Sequence, residues 1–411
     1  MSKLLWQPSQ ERCASTRLSA FTQYVNAQHQ QNFTSYAELW QWSVDCSGDF
    51  WQAICGFCDI EFSTPAQHAL QSGVGIRDAK WFEGARLNFA RHLLKRRDDA
   101  EALIFRGENG TRRALSYAHL YVAVAQLQSY LKAQGVTAGD RVAGYLPNAP
   151  EAVIAMLATS ALGAVWTSCS PDFGVNGVVD RFGQVEPKVL ITVDGYHYSG
   201  KRIDNLPKLP EIVERIPSIQ AVLVYPFLQE TLDLSAIDKA ISWDDALDTS
   251  ATGVEFVELP FDHPLYILYS SGTTGVPKCI VHGAGGTLLQ HVKELALHTD
   301  LGPNGRLMYF TTCGWMMWNW MVSGLAVGAS LVLFDGSPFS PGASALWKIV
   351  DEEGVTAFGT SAKYLAAVQS ARYLPKDRVK LDRLKSILST GSPLSPESFE
   401  FVYTNVKADL H

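Results

Sequence analysis

The chain carries no long run of like charge. Its longest basic cluster is Lys95-Arg96-Arg97, and its 411 residues carry a net charge of −7. A protein that neutralises many backbone phosphates needs a basic stripe, so a nonspecific nucleic-acid partner is not expected. Nor is there a run of the roughly 20 apolar residues that a membrane helix requires. Residues 152–166 are too short, and 316–334 are interrupted by Asn319, Ser323, Gly324 and Ser330, so both read as core. The opening MSKLLWQPSQERC has only a two-residue leucine run before polar residues, unlike a secretory signal. No internal repeat or low-complexity segment stands out. The seven cysteines are odd in number and follow no framework spacing, which predicts buried thiols in a reducing cytoplasm. Cys55-Gly56-Phe57-Cys58 is a lone CxxC. A zinc site lacks its second pair, with only Cys46 and His68 near, and a thioredoxin-like site lacks its strand and helix. The pair reads as core thiols.

The rest of the composition is that of an ordinary globular protein, 47% apolar and 18% charged, with length for two or three domains. Residues 1–95 differ from the remainder of the chain, holding five of the eleven tryptophans. Phe33 to Trp51 has apolar residues at helical spacing, with Thr34 or Ser35 placed to cap it. This predicts a helical extension packed on a main body over 96–411. In that body, apolar runs alternate with amphipathic stretches. Ala102–Phe105 and Arg113–Leu115 flank Gly107-Glu108-Asn109-Gly110, a hairpin signal. Ser116 caps a helix over 117–134, which Gly135 ends. Strands are expected at Arg141–Leu146, Val165–Ser168, Val189–Val193, Ala221–Val224, 307–312, 330–334, 355–358 and Leu384–Ser389. Helices are expected at Pro150–Leu162, 285–298, 315–326 and 343–353. The alternation predicts an α/β fold of two αβα-layered subdomains with largely parallel sheets. The mixed, acidic segment 226–262 reads as their connection. The chain stops at Asp409-Leu410-His411 in a stretch that looks interrupted.

One stretch carries chemistry: Tyr269-Ser-Ser-Gly-Thr-Thr-Gly-Val-Pro-Lys278, between Leu265–Leu268 and Cys279–Val281. Gly272 and Gly275 permit positive φ and close backbone approach. Ser270, Ser271, Thr273 and Thr274 offer short hydroxyls, successive loop N–H groups can form an anion-binding concavity, and Lys278 adds a point charge. The set suits a polyphosphate. It is not the NTPase P-loop, whose G-x-x-x-x-G-K-[ST] opens a helix; here the spacing is Gly-x-x-Gly-x-x-Lys, and Pro277 with the apolar run behind it predicts a hairpin.

This stretch resembles the phosphate-binding signature of the adenylate-forming enzymes: acyl-CoA synthetases, luciferases and peptide-synthetase adenylation domains. Cys279 stands where that superfamily often has Gly. Ser170-Pro171-Asp172-Phe173-Gly174 and Glu186–Ile191 are similar to the short-chain acyl-CoA synthetase branch. Thr312–Met321, Phe334-Asp335-Gly336-Ser337-Pro338 and Ser389–Glu397 resemble acetoacetyl-CoA synthetases, and the likeness covers nearly the whole chain. It implies the large N-terminal domain of such an enzyme, acting on acetoacetate, ATP and coenzyme A with Mg²⁺. Position by position, it implies that Ser270, Ser271, Gly272, Thr273, Thr274, Gly275 and Lys278 hold the ATP phosphates, with Thr274 and Lys278 catalytic. Gly391, Ser392 and Pro393 would lie against adenine. Trp315, Met316, Met317 and Thr390 would wall the acyl pocket. Gly174 would pass the pantetheine arm, and Lys201 or Arg202 would meet the coenzyme's 3′-phosphate. Read alone, 315–326 is a buried helix, apolar all round. Asn319 could donate to a β-keto oxygen, and His282 reads as structural. No metal ligand set is expected within these residues. The resemblance places an acidic Mg²⁺-holding motif just beyond residue 411, and beyond it a ribose-holding acid, a hinge and a C-terminal lid domain with a lysine. The chain alone is therefore expected to adenylate poorly. The rival readings are an acetyl- or propionyl-type synthetase and a non-catalytic nucleotide- or CoA-binding fragment.

Overall fold

The apolar runs of the sequence become seventeen strands among the residues described by a computed structural model, which are 4–71, 75–229, 231–270 and 275–410. In chain order they begin with β1 (Arg86–Leu87), β2 (Glu101–Gly107), β3 (Arg112–Ser116), β4 (Arg141–Tyr145), β5 (Val165–Cys169) and β6 (Val189–Val193). Next come β7 (Gly195–Tyr198), β8 (Lys201–Asp204), β9 (Ala221–Tyr225), β10 (Ala240–Ser242), β11 (Leu259–Pro260), β12 (Pro264–Ser270) and β13 (Lys278–Gly283). The last are β14 (Arg306–Tyr309), β15 (Ser330–Asp335), β16 (Ala357–Ser361) and β17 (Ser386–Thr390).

Two sheets result. The first has the order β10-β9-β6-β4-β5-β12-β13, and the second β17-β16-β14-β15-β2-β3. Neighbours run parallel except the closing hairpins β12–β13 and β2–β3. β7 and β8 pair only with each other. Helices cover both faces of each sheet, as parallel sheets demand. One face of each sheet shares a single apolar core, into which Val142 and Leu223 point from the first and Leu103 and Leu333 from the second. The helices Tyr117–Ala133 and Pro150–Ala161 fill that core, and every residue of the latter is buried. A helix buried on all sides fits where it meets protein all round, and its one charge, Glu151, is paired with Arg113 at 2.8 Å. The outer faces pack separately: Phe182 and Ile212 cover the first sheet, and Trp347 and Leu365 the second.

Most expected elements are present within a few residues of their sequence bounds. Ser116 accepts the N–H of His119 at 3.1 Å, and Gly135 follows that helix at φ +70°. Four expectations are corrected. The helix expected over 33–51 is two, Tyr36–Asp45 and Ser47–Phe57, broken at Cys46; Ser35 and Glu38 form a reciprocal capping box on the first. Segment 226–262 is more than a connection, because its β10 extends the first sheet beside β9. The subdomains do not follow one another in the chain: β2 and β3 belong to the second sheet, although 141–283 build the first. Cys13 and Cys279 are exposed rather than buried, while Cys55 and Cys58 are free thiols. Burial pushes Cys55 up to about 12 and Cys58 up to about 11, which suits inert thiols, of which only Cys55 is fully in the core, Cys58 and Cys46 being half-buried.

Candidate active site

The Gly- and Ser-rich stretch leaves the C-terminal end of β12, a strand that lies parallel to β5 inside the first sheet. The chain returns as β13, antiparallel, with Ser270 opposite Lys278 and Tyr269 opposite Cys279. The hairpin expected from Pro277 is therefore present, and Ser270 and Lys278 stand face to face at its mouth. Gly275 has φ +91°, a conformation that side chains rarely adopt, with open space where a Cβ would sit. Ser271, Gly272, Thr273 and Thr274 lie outside the described residues. The hairpin is braced from the neighbouring helix. Gln184 Nε2 donates to Pro277 O at 2.8 Å. Arg181 stacks on Phe173 at 4.4 Å and reaches the ring of Tyr269 at 5.9 Å. The sequence pattern did not mark Arg181, because its role depends on two rings distant in the chain.

The C-terminal ends of the two parallel sheets meet one another, and in such sheets ligands bind in the crevice outside those ends. The seam is tied by hydrogen bonds. Ser168 Oγ donates to Cys313 O at 2.7 Å. The N–H of Asn148 donates to Asp335 Oδ1 at 3.2 Å, while its side chain accepts from Trp318 Nε1 at 2.9 Å. Burial pushes the Asp335 carboxyl up to about 7; the Asn148 N–H opposes this, and Asp172 and Glu108 add repulsion. The sequence pattern marks no role for Asn148, and Asp335 enters only within the Phe334–Pro338 resemblance.

Along the C-terminal edge of the second sheet lie the predicted acyl and adenine residues. Trp315 and Met316 open the helix Met316–Val322 that follows β14, and they are 62% and 45% exposed. Met317 is half-buried behind them. Thr390 ends β17, two strands from β14, and Gly391, Ser392 and Pro393 continue from it, exposed, with Gly391 at φ +89°. The helix expected to be buried all round thus exposes its first turn and buries Trp318, Asn319 and Trp320. Asn319 is fully enclosed, and neither of its amide atoms has a partner; it does not wall the crevice. On the first sheet's side, Gly174 caps the helix Val175–Val185, with open space where a Cβ would sit. Lys201 and Arg202 are exposed on β8.

A separate cavity of about 820 Å³ lies between residues 79–86, β13 and the helix Ala284–Lys293. Of the predicted acyl set it takes only Met316, which joins Trp320, Thr287 and His291 there. His282 also lines it, its ring packed on Tyr266 at 4.9 Å and its pKa lowered by burial. Burial holds His291 down to about 3, so it is a neutral partner, 2.8 Å from Ser323 Oγ. Among the described residues no cluster of three or more His, Cys, Asp or Glu could hold a metal ion, and no helix is long and apolar enough to cross a membrane.

Comparison with known proteins matches this architecture. The chain is 44% identical to an acetoacetyl-CoA synthetase of Danio rerio, aligned over 100% of the chain and 62% of that protein. It is 45% identical to an acetoacetyl-coenzyme A synthetase of Rhizobium meliloti, over 99% of the chain and 62% of the relative. The solved acetoacetyl-CoA synthetase of Streptomyces lividans superposes with a TM-score of 0.94 at 43% identity, covering 100% of this chain and 64% of that one. The chain thus spans a little over three fifths of the length of these relatives. Residues 36–93 match the acetyl-coenzyme A synthetase N-terminus. The match to the AMP-binding enzymes runs over 89–410; every strand of both sheets falls inside it, and the chain belongs to that family.

Proposed function

We propose that this chain is the nucleotide- and acid-binding part of an acid–thiol ligase that activates acetoacetate with ATP and passes it to coenzyme A. The observation that carries the reading is the β12–β13 hairpin, with Ser270 and Lys278 opposed at the crevice edge of a parallel sheet. In the first step a carboxylate oxygen attacks the α-phosphorus, the α–β anhydride bond breaks and pyrophosphate leaves. In the second the thiol sulfur attacks the carbonyl carbon, losing its proton, and AMP leaves with the C–O electron pair. Ser270, Ser271, Gly272, Thr273, Thr274, Gly275 and Lys278 bind the phosphates in this scheme, with Thr274 and Lys278 nearest the reacting charge. Catalysis then rests on positioning and on preorganised donors. Mg²⁺ supplies charge neutralisation on the phosphates.

Gly391, Ser392 and Pro393 take adenine, and Trp315, Met316, Met317 and Thr390 take the acyl chain. Their common place on the crevice edge of the second sheet supports this. Gly174, Lys201 and Arg202 serve the coenzyme. The division at about residue 95 into a helical extension and an AMP-binding body, a cytoplasmic setting, and completion by a C-terminal lid belong to the same proposal.

Acetoacetate-dependent exchange of labelled pyrophosphate into ATP tests it, on this chain and on one extended to the relatives' length, with acetate and butyrate alongside. Exchange with acetoacetate above both other acids is expected from the extended chain, and a weak signal from this one. Preference for acetate points to the acetyl-type alternative, and silence with every acid in the extended chain refutes the ligase.

A further inference from the structure

The β7–β8 hairpin stands outside both sheets. Its turn is Ser199-Gly200, with φ of +52° and +75°, the doubly left-handed turn that short hairpins favour. Both N–H groups of that turn point at one side chain. Ser199 N donates to Glu108 Oε2 at 2.9 Å, and Gly200 N donates to Oε1. The same Oε2 accepts the N–H of Ser337 at 2.7 Å. Glu108 belongs to the β2–β3 turn and also donates its own N–H to Asp335 O at 3.0 Å. One carboxylate therefore joins the hairpin tip, the edge of the second sheet and the loop after β15.

The fold makes room for this clasp. Gly336 has φ +139°, and a Cβ there would fall 2.4 Å from Glu108 Cβ. The glycine and serine of Phe334-Asp335-Gly336-Ser337-Pro338 thereby gain a physical role: the glycine admits the carboxylate and the serine N–H binds it. Burial opposes the charge on Glu108, but the N–H groups of Ser337 and Gly200 outweigh it and hold the carboxyl below its ordinary range. Hydrogen bonds to an ionised acceptor are the strong kind.

What the clasp holds is the candidate coenzyme contact. Lys201 follows Gly200 directly, pairs with Tyr198 across the hairpin and is exposed, as is Arg202. A two-stranded hairpin has little stability of its own in water, so its tip is placed by what grips it. We propose that Glu108 is a positioning residue for coenzyme binding, fixing the hairpin so that Lys201 and Arg202 stand ready for a 3′-phosphorylated nucleotide. This rests on the coenzyme half of the function proposed above. Affinity for a ligand that needs the placed hairpin falls in proportion to the fraction of time it is placed. A hairpin in place about a tenth of the time binds about tenfold more weakly.

The test titrates CoA and 3′-dephospho-CoA into the extended chain. Wild type is expected to prefer CoA. E108A should weaken CoA about tenfold and dephospho-CoA less than about twofold, with E108Q between them because it keeps one acceptor oxygen. The double substitution K201A/R202A should produce the same selective loss, and adding E108A to it should cost nothing more. Hydrogen exchange at Ser199 and Gly200 should quicken in E108A, while β4 and β6 keep their protection. Unchanged CoA affinity in E108A, equal loss for both ligands, or additive losses would overturn the proposal, as would a wild type that does not distinguish the two ligands. Pyrophosphate exchange needs no coenzyme, so it tests the ligase reading separately: silent exchange beside an intact, Glu108-dependent preference for CoA would sink the ligase and leave the clasp standing.

Discussion

Removing the amide of Asn148 should show how firmly the two sheets are tied at the crevice. Asn148 Oδ1 accepts the indole N–H of Trp318 at 2.9 Å, and both side chains are buried. In N148A the indole N–H is stranded without water, which costs about 1–3 kcal/mol. The vacated volume adds about 1 kcal/mol. The amide's contacts to Thr311 O and Phe334 O are 3.4 Å long and add little. N148A is therefore expected to lose about 2–4 kcal/mol. W318F strands the acceptor instead and also leaves a cavity at a fully buried site, so it should lose about 2–4 kcal/mol. The double variant has neither orphan, so its loss should fall short of the sum by about 1 kcal/mol or more. Urea unfolding of the four proteins, followed by near-ultraviolet dichroism of the tryptophans, measures this. Additivity within about 0.3 kcal/mol would show that the bond does not couple the layers.

Three further outcomes are expected. The raised carboxyl of Asp335 favours the protonated native form, so its contribution is complete below the unfolded value near 3.8 and is lost as pH rises to about 7. The ceiling is on the order of 4 kcal/mol at pH 8, and partial contact with water reduces it to about half. D335N should therefore melt above wild type at pH 8, with the gap closing towards pH 5; a gap independent of pH refutes the burial argument. Glu353, with a side chain 3% exposed, accepts from Arg106 at 2.6 Å and twice from Arg112 at 3.0 Å. E353Q should cost about 3 kcal/mol in urea, at the low end because Arg112 stays partly hydrated, and a loss below about 1 kcal/mol counts against a buried hub. K278A should lower acetoacetate-dependent pyrophosphate exchange about 10²-fold in the extended chain without shifting its melting, since Lys278 is exposed; exchange within about threefold of wild type would remove it from the phosphate site.

Local pattern carried much of the fold and little of its wiring. The strands from Arg141 to Val193 could be read because short, mostly apolar runs sit between helical stretches. Ser116 and Gly135 mark a helix by their own chemistry, since a hydroxyl accepts an orphan N–H and a glycine takes positive φ. Pairing between distant strands leaves no such mark, so the return of β2 and β3 to the second sheet was invisible. β10 was missed because Ala240-Ile241-Ser242 is short and half-buried at an edge. The break at Cys46 rests on one backbone angle pair inside a pattern that stays helical on both sides. At the site, glycine and proline announced the β12–β13 hairpin, while Trp315, Met317 and Thr390 emerged only through resemblance. Arg181, Asn148, Asp335 and Glu108 act through partners far away in the chain. The one available hint was a polar Asn between the apolar end of β4 and Pro150. Asn319 failed for the opposite reason: an amide beside aromatics suggests a ligand contact, but helix geometry turns it inward.

The path of β2 and β3 has a consequence for synthesis on the ribosome. β2 pairs with β15, which emerges roughly 220 residues later, a wait of about 10–45 s at ordinary elongation rates. Until then the hairpin is an isolated pair of strands, marginal in water. The first sheet, gathered from 141–283, can finish meanwhile. The second layer must then close around a neighbour already made, so the nascent chain carries a strand edge open to mispairing until β15 arrives.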